Sequence, residues 1–250
     1  MSVTRPHTLT IAGFDPSGGA GVLADIKTLE ANKAIGFGVV TALTFQNDAQ
    51  FDGLVWVKTA AILSQIDVLF KKENITYVKI GMIENLDVLE QIITHLKTKN
   101  KAIKIIWDPI LKASAGFEVH KTIEKEKLLA ICNQLFLITP NEEEIKILMK
   151  EENAKNAATQ LSKLCNVLLK GGHSSSNKGK DYLFAADKIY AFNPKLISVY
   201  EKHGTGCVLS SAIMARLARG NKLHKACIEG KKYVTKYLMS NKTLLGYHKI

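Results

Sequence analysis

The sequence predicts an α/β protein: a three-layer αβα, doubly wound and mostly parallel sheet, in one domain over residues 1–250, with a small hairpin near the C-terminal third. Three observations predict it. Short apolar runs alternate with stretches of helical periodicity from residue 8 to residue 172, the pattern of repeated βα units. Those runs lack polar alternation, as strands covered on both faces do. The residues just after them are Gly, Asp, Asn, Gln and Lys, and ligands bind beyond the carboxyl ends of strands in such sheets.

"TLTIAG" (8–13) reads as the first strand and "GVLADIKTLEANK" as the helix after it. "FGVVTALTF" (37–45) is rich in β-formers and gives the second strand. The helix "TAAILSQIDVLFKK" puts Leu63, Ile66 and Phe70 on one face. "YVKIGM" (77–82) is a strand, and "NLDVLEQIITHLK" is a helix with Leu89, Ile92, Ile93 and Leu96 aligned. "AIKIIWD" (102–108) is the fourth strand, followed by a helix near 122–133, the strand "LFLIT" (135–139) and the helix "NEEEIKILMK". "NVLLKGG" (166–172) ends the alternation. "HSSSNKGKD" (173–181) is polar and reads as a mobile surface loop, and "YLFAA" with "KIYAF" reads as the hairpin. A last helix, 222–239, aligns Leu223, Cys227, Gly230, Val234 and Tyr237.

Composition narrows the function. With 250 residues and 46% hydrophobic content the chain can bury a sizeable core. No apolar run reaches a membrane span. Thr8 and Thr10 interrupt the N-terminal stretch, which therefore lacks a signal-type apolar segment. A cytoplasmic protein without a membrane partner is expected. Cys132, Cys165, Cys207 and Cys227 are scattered, which argues against a disulfide framework or a zinc site. The net charge is +11, yet Arg5, Arg216 and Arg219 are the only arginines. Base and phosphate forks favour arginine, so the excess reads as a lysine-rich surface around an anion site rather than a nucleic-acid interface.

The strand-end motifs carry the chemistry. Gly19, Gly21 and Ala24 match a dinucleotide fingerprint only formally, because Asp15-Pro16-Ser17-Gly18 separates them from the strand. No P-loop motif occurs. Asn141 with Glu144 three residues on spells a capping box, which alone could account for both. The same spacing leaves Glu144 near the strand ends, where it and Asp108 could share a hydrated Mg²⁺ beside a triphosphate. Lys170-Gly171-Gly172 offers a cation and open backbone for phosphates, unless Lys170 is an ordinary surface lysine. Met82 is core filler or the support of a flat ligand ring. His173 and His203 lack metal-ligand spacing and are read as holding loops. "HGTGC" delivers Cys207 to the first turn of a helix, where free N–H groups and the dipole favour an anion and would lower the thiol pKa.

Together "TIAGFDPSGGAGVLADIKT", "TALTFQN", "KIGM", "DPIL", "TPNEEE", "LLKGGH" and "HGTGC" resemble, in order and spacing, the hydroxymethylpyrimidine and phosphomethylpyrimidine kinases, thiamin-pathway members of the ribokinase-like superfamily. The resemblance runs from about residue 8 to about residue 240. It implies a ribokinase-like fold, ATP as co-substrate with Mg²⁺, and two successive phosphorylations of the pyrimidine at one site. It implies that Gly13, Asp25, Gln46, Met82 and Ile110 surround the pyrimidine and that Asp108 and Glu144 serve the metal through water. Lys170, Thr205 and Lys231 would then meet the nucleotide. Gly204, Thr205 and Gly206 would form the anion hole, with Cys207 as the proton acceptor where most superfamily members carry aspartate. A homodimer is implied as well.

Two stretches depart from the family pattern. "SAG" (114–116) replaces the usual Lys-Ser-Gly, with Lys112 as a substitute lysine, and "SVYEK" precedes "HGTGC" where a Thr/Asn-rich segment is usual. The competing readings are a pyridoxine or pyridoxal kinase and, from another class, a non-enzymatic lysine-rich binding protein.

Overall fold

A computed structural model describes residues 4–111, 123–172, 179–186, 188–194 and 199–249. Its elements run β1 (His7–Phe14), α1 (Gly21–Ala31), β2 (Ile35–Gln46), β3 (Phe51–Trp56), α2 (Thr59–Phe70), β4 (Tyr77–Ile80), α3 (Leu86–Lys99), β5 (Lys104–Trp107), α4 (Lys125–Cys132), β6 (Leu137–Ile138), α5 (Glu142–Met149), α6 (Ala154–Leu161), β7 (Asn166–Leu169), β8 (Asp181–Ala185), β9 (Lys188–Phe192), α7 (Thr205–Ala218) and α8 (Leu223–Leu238). The strands form one sheet in the order β3-β2-β1-β4-β5-β6-β7-β8-β9. Neighbours from β2 to β7 pair parallel, whereas β3, β8 and β9 pair antiparallel at the two sides.

Strand alternation sends side chains into two cores. Ile105, Trp107, Ile138, Val167 and Leu169 pack with Ile62, Ile66, Leu89, Leu128, Leu148 and Leu161 of α2 to α6. Ile106, Leu137 and Leu168 point the other way, to Leu29 of α1, Ile213 of α7 and Cys227, Val234 and Tyr237 of α8. Each large aliphatic side chain so buried contributes about 1.5–3 kcal/mol. The expected hairpin is present, and it extends the main sheet through the β7–β8 pairing.

Two elements escape the sequence reading. β3 is a short, half-buried strand on the sheet edge, interrupted by Gly53, so its alternation is weak. α6 buries Ala154, Ala157, Ala158 and Leu161 at helical spacing, but alanines, only weakly apolar, carry most of that period. Asn153 caps α6, its side chain accepting from the N–H groups of Lys155 and Asn156, and that cap was the readable clue. Lys112, "SAG" (114–116), His173 and most of "HSSSNKGKD" lie outside the described residues.

Candidate active site

The first strand-end loop is built around Asp15. Its buried carboxylate accepts from Ser17 N (2.8 Å), Ser17 Oγ (2.9 Å) and Ala20 N (2.8 Å). It also meets His203 Nε2 at 3.0 Å, so His203 holds a loop, as its sequence context suggests. Burial alone would raise the Asp15 pKa, but the His203 and Ser17 hydrogen bonds hold it below the usual value. The turn after His203 docks on the same loop. Gly204 caps α7 with φ 69°, and a Cβ there would stand 2.0 Å from Gly19 O. Only glycine permits both the left-handed backbone and that approach. The segment after α8 closes over this junction. His203 N donates to Leu244 O, and the buried Lys202 ammonium donates to Asn241 O and Thr243 O, both at 2.7 Å.

α7 begins with no side-chain cap, so its first N–H groups remain available to an anion. The Thr205 hydroxyl turns back to Lys202 O at 2.8 Å, which leaves its backbone as the part that faces forward. The glycine at 206 keeps the approach open: a Cβ there would lie 3.4 Å from Lys170 Nζ and 3.9 Å from Asp108 Oδ2. Past β5, Asp108 is 1% exposed. It accepts from Thr139 Oγ1 (2.9 Å), Lys170 Nζ (2.8 Å) and Ser210 Oγ (3.1 Å). Burial would raise the Asp108 pKa, but Lys170 and Lys79 hold it below the ordinary value. Burial would likewise lower Lys170, and Asp108 with Glu144 reverses this and keeps it charged.

Glu144 caps its helix and also stands beside Lys170. Glu144 N donates to Asn141 Oδ1 (2.8 Å) and Asn141 N donates to Glu144 Oε2 (2.7 Å), a complete capping box. The same Oε2 is 3.8 Å from Lys170 Nζ. Burial pushes the Glu144 pKa up to about 7, with Lys170 opposing and Asp108 assisting. Two carboxylates in a buried space that disfavours their joint charge fit a hard cation with oxygen ligands. Among the described residues no group of three His, Cys, Asp or Glu side chains surrounds a single point, so water and phosphate would have to complete its shell.

Lys231 donates to Gly179 O at 2.6 Å and pairs with Asp181, whose other oxygen accepts from Gly171 N at 3.0 Å. It therefore braces the backbone next to Lys170. On the opposite side, Met82 packs with Ala42, Leu54, Trp56 and Ile110, and its sulfur lies 3.2 Å from where a Gly13 Cβ would be. Gly13, Met82 and Ile110 thus lie together in one apolar cluster. Gln46 donates to Thr44 Oγ1 at 2.9 Å, and Thr44 in turn donates to Phe14 O at 2.7 Å.

Two expectations change. Cys207 is 5% exposed, and burial pushes its thiol up to about 11. Lys79 and a Gly21 N–H bond pull it down less than burial, Asp25 and Asp108 push it up. The helix-start effect read from sequence is outweighed. Asp25 is 0% exposed, and Thr10, Lys79 and Ser211 occupy its oxygens. The partners the sequence reading missed are Asp15, Lys79, Thr139, Ser210 and Ser211. Lys79 had a signal, being a lysine inside the apolar run "YVKIGM". All four cysteines are free thiols.

A sheet with its polar groups gathered past one row of parallel strand ends is that of the ribokinase-like small-molecule kinases. Residues 15–249 match the phosphomethylpyrimidine kinase family, and the chain belongs to that family. The hydroxymethylpyrimidine/phosphomethylpyrimidine kinase of Aquifex aeolicus is 36% identical over 94% of this chain and 95% of that protein. The crystal structure of phosphomethylpyrimidine kinase from Clostridium difficile superimposes with a TM-score of 0.79 at 30% identity, covering 93% of this chain and 99% of that one. An ADP complex of Bacillus subtilis pyridoxal kinase superimposes with a TM-score of 0.82 at 25% identity, covering 94% and 92%.

Proposed function

We propose that this chain uses ATP and Mg²⁺ to phosphorylate 4-amino-5-hydroxymethyl-2-methylpyrimidine, and then its monophosphate to the diphosphate, in the cytoplasm as part of thiamin biosynthesis. The observation that carries the proposal is the uncapped start of α7 beside the Lys170–Asp108 pair. Phosphoryl transfer depends on positioning and charge stabilisation more than on covalent chemistry. The N–H groups of Gly204 to Cys207 meet charge developing on the transferred phosphoryl group, and Lys170 offsets charge on the phosphates. Mg²⁺ held by Asp108 and Glu144 through its waters would neutralise the triphosphate. Thr205 contributes its backbone N–H, and Lys231 braces the nucleotide side. Gly13, Met82 and Ile110 pack the pyrimidine, with Gln46 on its polar edge. Cys207 accepts the hydroxyl proton in its thiolate form, late in a loose transition state.

Leu43, Phe45 and Val55 are each about half exposed on the β2–β3 edge, and a second copy of the chain covers them in the proposed homodimer. No helix among the described residues is long and apolar enough to cross a membrane, and the reading includes no membrane partner. No nucleic acid takes part. The likeness to pyridoxal kinase favours pyridoxine as the second reading. ATP consumption measured with hydroxymethylpyrimidine, its monophosphate and pyridoxine separates the readings. Turnover with pyridoxine alone would install the second reading, and no turnover with any would leave a non-enzymatic binding protein.

A further inference from the structure

Asp25 is fully buried on α1, and four hydrogen bonds converge on its carboxylate. Thr10 Oγ1 of β1 donates at 2.6 Å, Lys79 Nζ of β4 at 2.6 and 2.7 Å, and Ser211 Oγ of α7 at 2.7 Å. One carboxylate therefore ties together four elements, the neighbouring strands β1 and β4 and the helices α1 and α7 that share one face of the sheet. Lys79 is 0% exposed as well, so this pair is shielded from solvent. Ser211 follows Cys207 by four residues, which puts the two on the same face of α7. The adjacent Ser210 donates to Asp108 at 3.1 Å. Two successive serines thus fasten the Cys207 face of α7 to two different buried carboxylates.

The rest of the α7 interface is apolar: Val208, Ala212, Ile213 and Ala215 are 0% exposed. Apolar contact is non-directional and tolerates sliding along the helix axis. Hydrogen bonds to a fixed carboxylate have narrow angular limits and set that register. We propose that Asp25 and Lys79 form a positioning pair that sets the axial register of α7 through Ser211, and that Asp25 serves the reaction through that helix instead of by touching the pyrimidine. The inference rests on the proposed use of the first turn of α7 in phosphoryl transfer. It reassigns Asp25 and gives Lys79 and Ser211 roles in the same reaction.

Two variants test it. Asp25→Leu/Lys79→Met removes both charges together, a change that buried pairs often tolerate in stability. Ser211→Ala leaves the ion pair intact and cuts only its link to α7. Melting temperature reports folding, calorimetry reports pyrimidine affinity without nucleotide, and steady-state kinetics reports kcat. A displaced helix of this kind predicts kcat lower by about 100-fold in the double variant and roughly 10-fold in Ser211→Ala, with pyrimidine affinity within about threefold in both. Ser211→Thr, which restores a hydroxyl, should recover most of the loss. Pyrimidine affinity weakened about tenfold or more in the double variant, with Ser211→Ala unaffected, would make Asp25 a substrate ligand. Full kcat in both folded variants would leave the cluster a stabilising element only. If the double variant does not fold, Ser211→Ala and its threonine partner decide. If the parent protein fails to bind the pyrimidine, the substrate assignment falls, and the same kcat comparison is made on whichever substrate it phosphorylates.

Discussion

Lys170 Nζ stands 2.8 Å from Asp108 Oδ1, a lysine at the end of β7 held by a carboxylate at the end of β5. The ammonium is thereby fixed at the mouth of the α7 turn before any phosphate arrives. Preorganised charge of this kind costs no rearrangement during the reaction. Lys170→Met should lower kcat/KM for ATP by about 100-fold or more and leave pyrimidine affinity nearly unchanged. Kinetics at saturating pyrimidine with varied ATP would show this. Wild-type kcat/KM would make Lys170 a partner of Asp108 and nothing more.

A titration separates the cap formed by Glu144 from its proposed service to Mg²⁺. Its folded pKa, raised by burial to about 7, exceeds the ordinary 4.5. The unfolded chain therefore releases this proton first, and stability without metal falls as pH rises from about 4.5 through 7. Glu144→Gln keeps much of the cap geometry and should flatten that slope. It should also raise the Mg²⁺ concentration needed for activity. Thermal melts across pH and a Mg²⁺ titration measure both, and an unchanged Mg²⁺ requirement would leave Glu144 as a helix cap.

A thiol near 11 is protonated at neutral pH, so little of Cys207 can accept a proton there. If the thiolate is the acceptor, kcat should climb as pH rises above neutrality. Cys207→Ala should abolish that climb and cut kcat by roughly 10²–10⁴ with little change in ATP affinity. Cys207→Asp should keep part of the activity. A variant profile parallel to the parent's would remove Cys207 from proton transfer.

The proposed place of Gln46 on the polar edge of the pyrimidine makes a prediction about substrate choice. Its amide donates to Thr44, which leaves the carbonyl oxygen and a second hydrogen for a ring nitrogen and an amino group side by side, as at adenine edges. Pyridoxine lacks that amino group. Hydroxymethylpyrimidine should be preferred in kcat/KM, and Gln46→Leu should erode the preference mainly by weakening the pyrimidine. Equal losses for both substrates would reduce Gln46 to a tie for its own strand.

Gly204→Ala combines a forbidden φ with a backbone collision. It should slow turnover by about 100-fold and lower the melting temperature. A differential scan and kcat on the same preparation would check it, and parent-like values would mean the turn can shift without consequence.

The parallel strands were legible because each is a continuous apolar run with polar residues gathered at its carboxyl end. Asn141 with Glu144 showed in spacing because a capping box is local. Cys207 was legible in place but not in charge state: the helix start is local, whereas the burial that governs the thiol comes from elements far away in sequence. The partners of Asp25 were hidden for the same reason. Nothing near residue 25 tells that Lys79 and Ser211, 54 and 186 residues away, will occupy its oxygens. β3 was missed where Gly53 blurs its alternation, and α6 because its helical period is carried by alanines instead of large apolar residues.

The clasp between Asp15 and His203 joins residues 188 positions apart, and Thr28 meets His248 across 220. Bringing such distant segments together must await most of the chain, since long-range closure carries its entropy cost before its contacts form. During synthesis the β1–α1 loop is among the first segments made, yet it lacks its partners until α7 and the segment after α8 have emerged. Catalytic competence therefore arrives at the end of folding, and a partly made chain has the sheet's first strands without the means to hold a triphosphate.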